Sequence, residues 1–67
     1  MLFEYTDTHR VVYSMENGDY FTMEGHIFQV IDKGRPNHHC ILYNLTRGKL
    51  YREPAYVIGQ VLKMVKD

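Results

Sequence analysis

Gly18-Asp19-Tyr20-Phe21-Thr22-Met23-Glu24-Gly25-His26-Ile27-Phe28-Gln29-Val30-Ile31 reads as two strands joined by a tight turn at Glu24-Gly25. Tyr20 and Phe21 lead in, and Ile27, Phe28, Val30 and Ile31 lead out, residue types that suit a pleated, half-buried surface. A glycine at position 25 takes the positive φ of such a turn without a steric cost.

The flanking chain carries the same pattern outward. Leu2–Tyr5 alternates weakly, as a short edge strand does, and Thr6-Asp7-Thr8-His9 is polar and turn-like. Arg10-Val11-Val12-Tyr13 is β-branched and aromatic, a further strand, and Glu16-Asn17-Gly18-Asp19 is a turn cluster. That cluster either closes a hairpin between Tyr13 and Phe21 or simply delivers the chain to the Tyr20 strand. Asp32–His38, with Gly34 and Pro36 among polar neighbours, is a loop. His39–Leu45 and Lys49–Arg52 read as strands about a turn at Thr46-Arg47-Gly48, and Pro54 ends the pairing. In the tail, Val57, Val61 and Val65 recur at helical spacing, but β-branching and Gly59 oppose a helix. Pro54–Ile58 is read as a turn or 3-10 piece and Val61–Val65 as a closing strand, with a short C-terminal helix as the alternative.

Five or six short antiparallel strands with turns about every 8–12 residues predict an all-β fold, a small SH3-like barrel spanning 1–67 as one domain. Phe21, Ile27, Val30, Ile41, Leu45 and Leu50 are its expected core. A chain of 67 residues buries only about 60% of its unfolded surface, so self-association is expected, most simply as a two-fold dimer. Apolar residues at 45% and charged ones at 24% are a globular composition. No stretch is long and apolar enough to span a membrane, and the start lacks the basic flank of a signal peptide, so no membrane partner is expected. The lone Cys40 cannot form an internal disulfide, which fits a reducing, cytoplasmic setting.

Two fragments resemble a known family. Gly18-Asp19-Tyr20-Phe21, Glu24-Gly25 and Phe28-Gln29-Val30-Ile31 are similar to the opening hairpin of the KOW-type, SH3-like domain that begins translation elongation factor P. Tyr43-Asn44-Leu45-Thr46-Arg47-Gly48-Lys49-Leu50 resembles that domain's later hairpin, with its Asn-Leu-x-x-Gly-Lys pattern. The resemblance covers residues 18–52 and implies the barrel and a protruding basic loop at Lys33–Asn37. The family's Pro-Gly-Lys-Gly loop tip is not reproduced, since the order here is Lys-Gly-Arg-Pro, and its further domains are absent from these 67 residues. In size and style the chain is also similar to single-barrel proteins carried by phages.

The chemistry of the sequence points away from catalysis. There is no Gly-x-Ser-x-Gly elbow, no phosphate-binding loop and no His-Glu-x-x-His. Cys40 has His38 on its side of the strand, but a small cysteine in an apolar strand serves more simply as a core residue. His26, His38 and Cys40 could converge, yet they lack metal-site spacing, so no metal and no cofactor are expected. Six tyrosines against three phenylalanines and no tryptophan favour a recognition surface.

Residues 1–32 sum to −5 and residues 33–67 to +5, so the basic residues gather late in the chain. Arg35, Tyr43, Arg47, Lys49, Tyr51 and Arg52 combine positive charge with rings on which a partner can stack. The expected function is a non-enzymatic binding module for an anionic partner, either nucleic acid or an acidic protein surface. A net charge of zero weighs against a dedicated nucleic-acid binder. The alternative is a phage-type protein-interaction or inhibitor module, or an oligomer that traps a small anionic metabolite.

Overall fold

A computed structural model describes residues 2–65. The Glu24-Gly25 turn forms as the residues demand: φ is 54° at Glu24 and 79° at Gly25, both positive, which matches the right-handed twist of the strands it joins. Those strands are β2 (Tyr20–Met23) and β3 (His26–Asp32), paired with Phe21 opposite Phe28. The others are β1 (Leu2–Val11), β4 (His39–Asn44), β5 (Lys49–Pro54) and β6 (Ile58–Val65), with a single 3-10 turn at Val12–Ser14. All pair antiparallel in one sheet of order β1-β6-β2-β3-β4-β5.

That order curls round into a barrel that, among the described residues, has no β1–β5 pairing. β5 and β6 are two halves of one run, interrupted by a turn in which the Val57 N–H donates to the Pro54 carbonyl (3.2 Å). The first half pairs with β4 and the second with β2, so the meander β2-β3-β4 returns to its start. β1 is laid along the far edge of β6. The result is the expected all-β, SH3-like barrel with six strands. Among the described residues no helix is long and apolar enough to cross a membrane.

Inside the barrel, Val12, Met15, Phe21, Phe28, Val30, Cys40, Leu42 and Ala55 form one buried cluster. Phe21 and Phe28 stack with ring centroids 5.3 Å apart, and Tyr51 meets the Phe28 ring edge-on at 5.9 Å. Gly59, facing the Phe21 ring from β6, is what lets that ring lie flat. A Cβ at 59 would stand 2.8 Å from Cε2 and 2.9 Å from Cγ of Phe21, and closer still to Cδ2.

Several expectations are corrected. β1 is one strand from Leu2 to Val11, and the polar Thr6–Thr8 stretch is a bulge within it, where the register to β6 shifts between Tyr5 and His9. Side chains hold that bulge: Thr6 Oγ1 donates to the Val61 carbonyl and Gln60 Nε2 to the Thr6 carbonyl, each at 2.7 Å. Val12 and Tyr13 belong to the 3-10 turn, not to a strand. The 16–19 cluster does not close a hairpin. Its Gly18 N–H donates to the Val30 carbonyl (2.7 Å) and the loop leads the chain into β2. The tail is a strand with no helix, but it begins at Ile58 and not at Val61. The expected Pro54–Ile58 piece shrinks to a turn between the end of β5 at Pro54 and the start of β6 at Ile58.

The core list is right for Phe21 and Val30 and one residue out of phase at Ile27, where Phe28 is buried instead, and on β4 and β5. Cys40, Leu42 and Asn44 face inward, while Ile41 and Leu45 are only half-buried and Leu50 is 67% exposed. A one-residue shift exchanges every side chain between faces, and alternating apolar residues on both faces of β4 hid the phase.

Candidate functional site at the barrel mouth

The β4–β5 turn is built around Asn44, the one buried polar side chain among the described residues. Its carbonyl accepts the Gly48 N–H (2.7 Å) and its Oδ1 accepts the Arg47 N–H (2.9 Å). Gly48 supplies the left-handed residue that such a turn requires, at φ 68°. With Oδ1 committed to a backbone donor, the Asn44 amide nitrogen is what faces His26 Nδ1 at 2.8 Å. Nδ1 therefore accepts, and the proton of the neutral imidazole sits on Nε2. Asn44 thus fixes both the path of the basic turn and the tautomer of His26.

Around this pair opens a cavity of about 330 Å³, lined by Met23, Glu24, His26, Phe28, Asn44, Arg47, Tyr51 and Glu53. Phe28 and Tyr51 give it an aromatic floor. One guanidinium and two carboxylates stand at its walls, so the mouth is mixed in charge. Acidic and basic halves of the chain, separate in sequence, meet here because β2–β3 and β4–β5 turn at the same end of the barrel.

The six residues singled out by sequence do not form one surface. Arg47 and Tyr51 come together at the mouth, and Lys49 lies on the same side of β5 as Tyr51. Tyr43 and Arg52 belong to the outer face, where Tyr43 pairs with Leu50 and Arg52 with Ile41. Arg35 lies in the loop before β4, lining a separate cavity of about 410 Å³ with Asp32, Gly34, His38 and His39. The six residues of β4 separate that loop from the Arg47 turn by roughly 17–20 Å. Arg35, Arg47, Lys49 and Arg52 are all exposed, and Tyr51 is half-buried.

Sequence reasoning weighed His26 only as a metal ligand and passed over Asn44, Phe28 and Glu53 as site residues. Asn44 carried a signal: an amide at the end of a strand, just before a turn, is placed to bind that turn's backbone. Nothing local marked Glu53 or Phe28, whose places depend on register.

Cys40 is fully buried, and burial pushes its thiol above the ordinary value of 9.0. Its Sγ lies 3.8 Å from the Pro54 carbonyl and acts as a weak donor in the core, a setting that disfavours a thiolate. His26, His38 and Cys40 fall in three different places, and among the described residues no three His, Cys, Asp or Glu side chains gather as a metal-binding group. No family model, no curated protein and no solved structure matches the chain.

Proposed function

We propose that the domain is a non-enzymatic binding module that takes an anionic partner at the 43–52 hairpin and the adjoining barrel mouth. An acidic protein surface is favoured over nucleic acid. The supporting observation is the β4–β5 turn, where Arg47 and Lys49 are exposed on either side of Gly48 beside the half-buried ring of Tyr51. The turn that presents Arg47 is held by Asn44, so the guanidinium is offered from a fixed backbone. A partner carboxylate would meet Arg47, while an apolar or aromatic side chain beside it would rest on Tyr51 and Phe28.

Glu24 and Glu53 at the same mouth argue for a peptide of mixed character. A continuous polyphosphate would run into both carboxylates, and the chain's zero net charge gives it no general attraction. The resemblance to the KOW-type domain of elongation factor P and to phage single-barrel proteins is in keeping with a binding role. A cytoplasmic setting suits one buried, unpaired cysteine. The second reading, a protein-interaction or inhibitor module, draws on exposed Tyr5, Tyr43, Leu50 and Tyr56 outside the mouth.

The test is fluorescence anisotropy with a labelled glutamate-rich peptide and a single-stranded oligonucleotide of equal charge, for wild type and Arg47→Ala. The peptide should bind more tightly, and Arg47→Ala should weaken it by about 1–2 kcal/mol, as loss of a charge-assisted contact does. Equal affinity in the variant would overturn the assignment of Arg47.

A further inference from the structure

The sheet leaves two outer edges, and the chain treats them differently. The β1 edge is broken by the Thr6–Thr8 bulge, pinned to β6 by the Thr6 and Gln60 hydrogen bonds. A bulge of this kind blunts an edge against pairing with another chain. β5, at the other end of the order, has no bulge; Pro54 at its end offers no N–H to the open side, which leaves Lys49–Glu53 as the segment free to pair. The six residues of β5 pair with β4 in unbroken register from Lys49 to Pro54, and among the described residues β5 has no strand on its other side.

The phase of the β5 ladder follows from its ends. Ala55 N–H donates to the His38 carbonyl (2.9 Å), and on the opposite side of β4 the Leu45 N–H donates to the Ile27 carbonyl (2.8 Å). Alternation then turns the backbone groups of Cys40, Leu42 and Asn44 toward β5, bonded to Glu53, Tyr51 and Lys49. The N–H and C=O groups of Leu50 and Arg52 point the other way, to the open edge.

We propose that β5 is a homodimerisation edge, pairing antiparallel with β5 of a second copy about a two-fold axis through Tyr51. In that register Leu50 lies opposite Arg52 of the second copy, and each such pair exchanges both of its free backbone hydrogen bonds. Tyr51 lies opposite Tyr51. Lys49 lies opposite Glu53, twice over, so Lys49-Leu50-Tyr51-Arg52-Glu53 is complementary in charge to its own reverse. On the outer face, Leu50 with Tyr43 beside it comes against the Arg52 stem and Ile41 of the second copy. This covers a leucine that is otherwise 67% exposed. Lysine on an edge strand ordinarily guards against pairing; here the same strand supplies the carboxylate that accepts it. Since Glu53 lines the mouth cavity, the second copy's Lys49 also adds a cation to each mouth.

Sedimentation equilibrium over a concentration series tests this. Wild type should fit a monomer–dimer equilibrium. Lys49→Glu and Glu53→Lys should each weaken the dimer about tenfold or more through two like-charge contacts, and the double exchange should restore it. Arg52→Pro removes an outward N–H that β4 does not use and should leave a folded monomer. Where the proline variant does not fold, the charge exchange decides alone. A monomeric wild type, a double exchange that fails to restore the dimer, or open-ended assembly through the β1 edge would each overturn the proposal. Lys49 and Tyr51 belong to both surfaces, but Arg47 lies in the turn outside the paired segment, so an Arg47→Ala loss of peptide binding and a charge-exchange loss of the dimer are read separately.

Discussion

Replacing Gly59 by alanine adds a single methyl group where the backbone of β6 lies directly against the ring of Phe21. The new Cβ would lie 2.8 and 2.9 Å from two carbons of the Phe21 ring and nearer to a third, all inside van der Waals contact. Phe21 cannot swing away: it is fully buried, stacked on Phe28 and flanked in register by Val61. Overpacking of this kind costs about 1–3 kcal/mol, and the approach here belongs at the upper end of that range. Alanine recovers about 0.4–1 kcal/mol by restricting the unfolded chain. The net loss of about 2 kcal/mol lowers the melting temperature of a domain this small by roughly 8–16 °C. Urea unfolding followed by circular dichroism measures it. A double-mutant cycle identifies the cause, because Phe21→Leu should cost at least about 1 kcal/mol less in the Gly59→Ala background than in wild type. A Gly59→Ala variant within about 0.5 kcal/mol of wild type would refute the claim that Gly59 exists to admit Phe21.

Asn44→Ala should cost about 1–3 kcal/mol, since it strips the acceptor from the Arg47 N–H and the donor from His26 Nδ1; equilibrium unfolding checks this. The same variant should loosen the turn and weaken peptide binding although Arg47 is still present. For Cys40 the sign runs downward with alkali. Its folded thiol is pushed above 9.0 by burial, so the unfolded chain loses the proton first and stability falls as pH rises past about 9 toward the folded value. Unfolding free energies of wild type and Cys40→Ala compared between neutral and alkaline pH should diverge there, with the cysteine-dependent part of the slope gone in the variant.

Much of the fold was written in local signals. Gly25, Gly48 and the Gly34-Pro36 loop marked turns that form where expected, and β-branched content outweighed the valine spacing of the tail. What escaped was information carried by pairing. The face of β4 cannot be read from Cys40-Ile41-Leu42-Tyr43-Asn44-Leu45, because both alternating sets contain apolar residues. Gly59 looked like a helix breaker because its role lies in the ring of Phe21, 38 positions away in sequence. The site suffered more than the fold for the same reason. Arg47 and Tyr51 were found as members of one hairpin, whereas His26, Phe28 and Glu24 reach the mouth through the β2–β3 hairpin. Arg35, near in sequence, lies toward the opposite end of β4.

The most direct measurement is a titration of the ¹⁵N-labelled protein with a glutamate-rich peptide, followed through amide and side-chain shifts. The central claim predicts that the shifts gather at the mouth, on Arg47, Gly48, Lys49, Tyr51 and the His26 ring, and are lost in Arg47→Ala. Shifts confined to Arg35 and the 33–38 loop, or to β1 and its bulge, would contradict it.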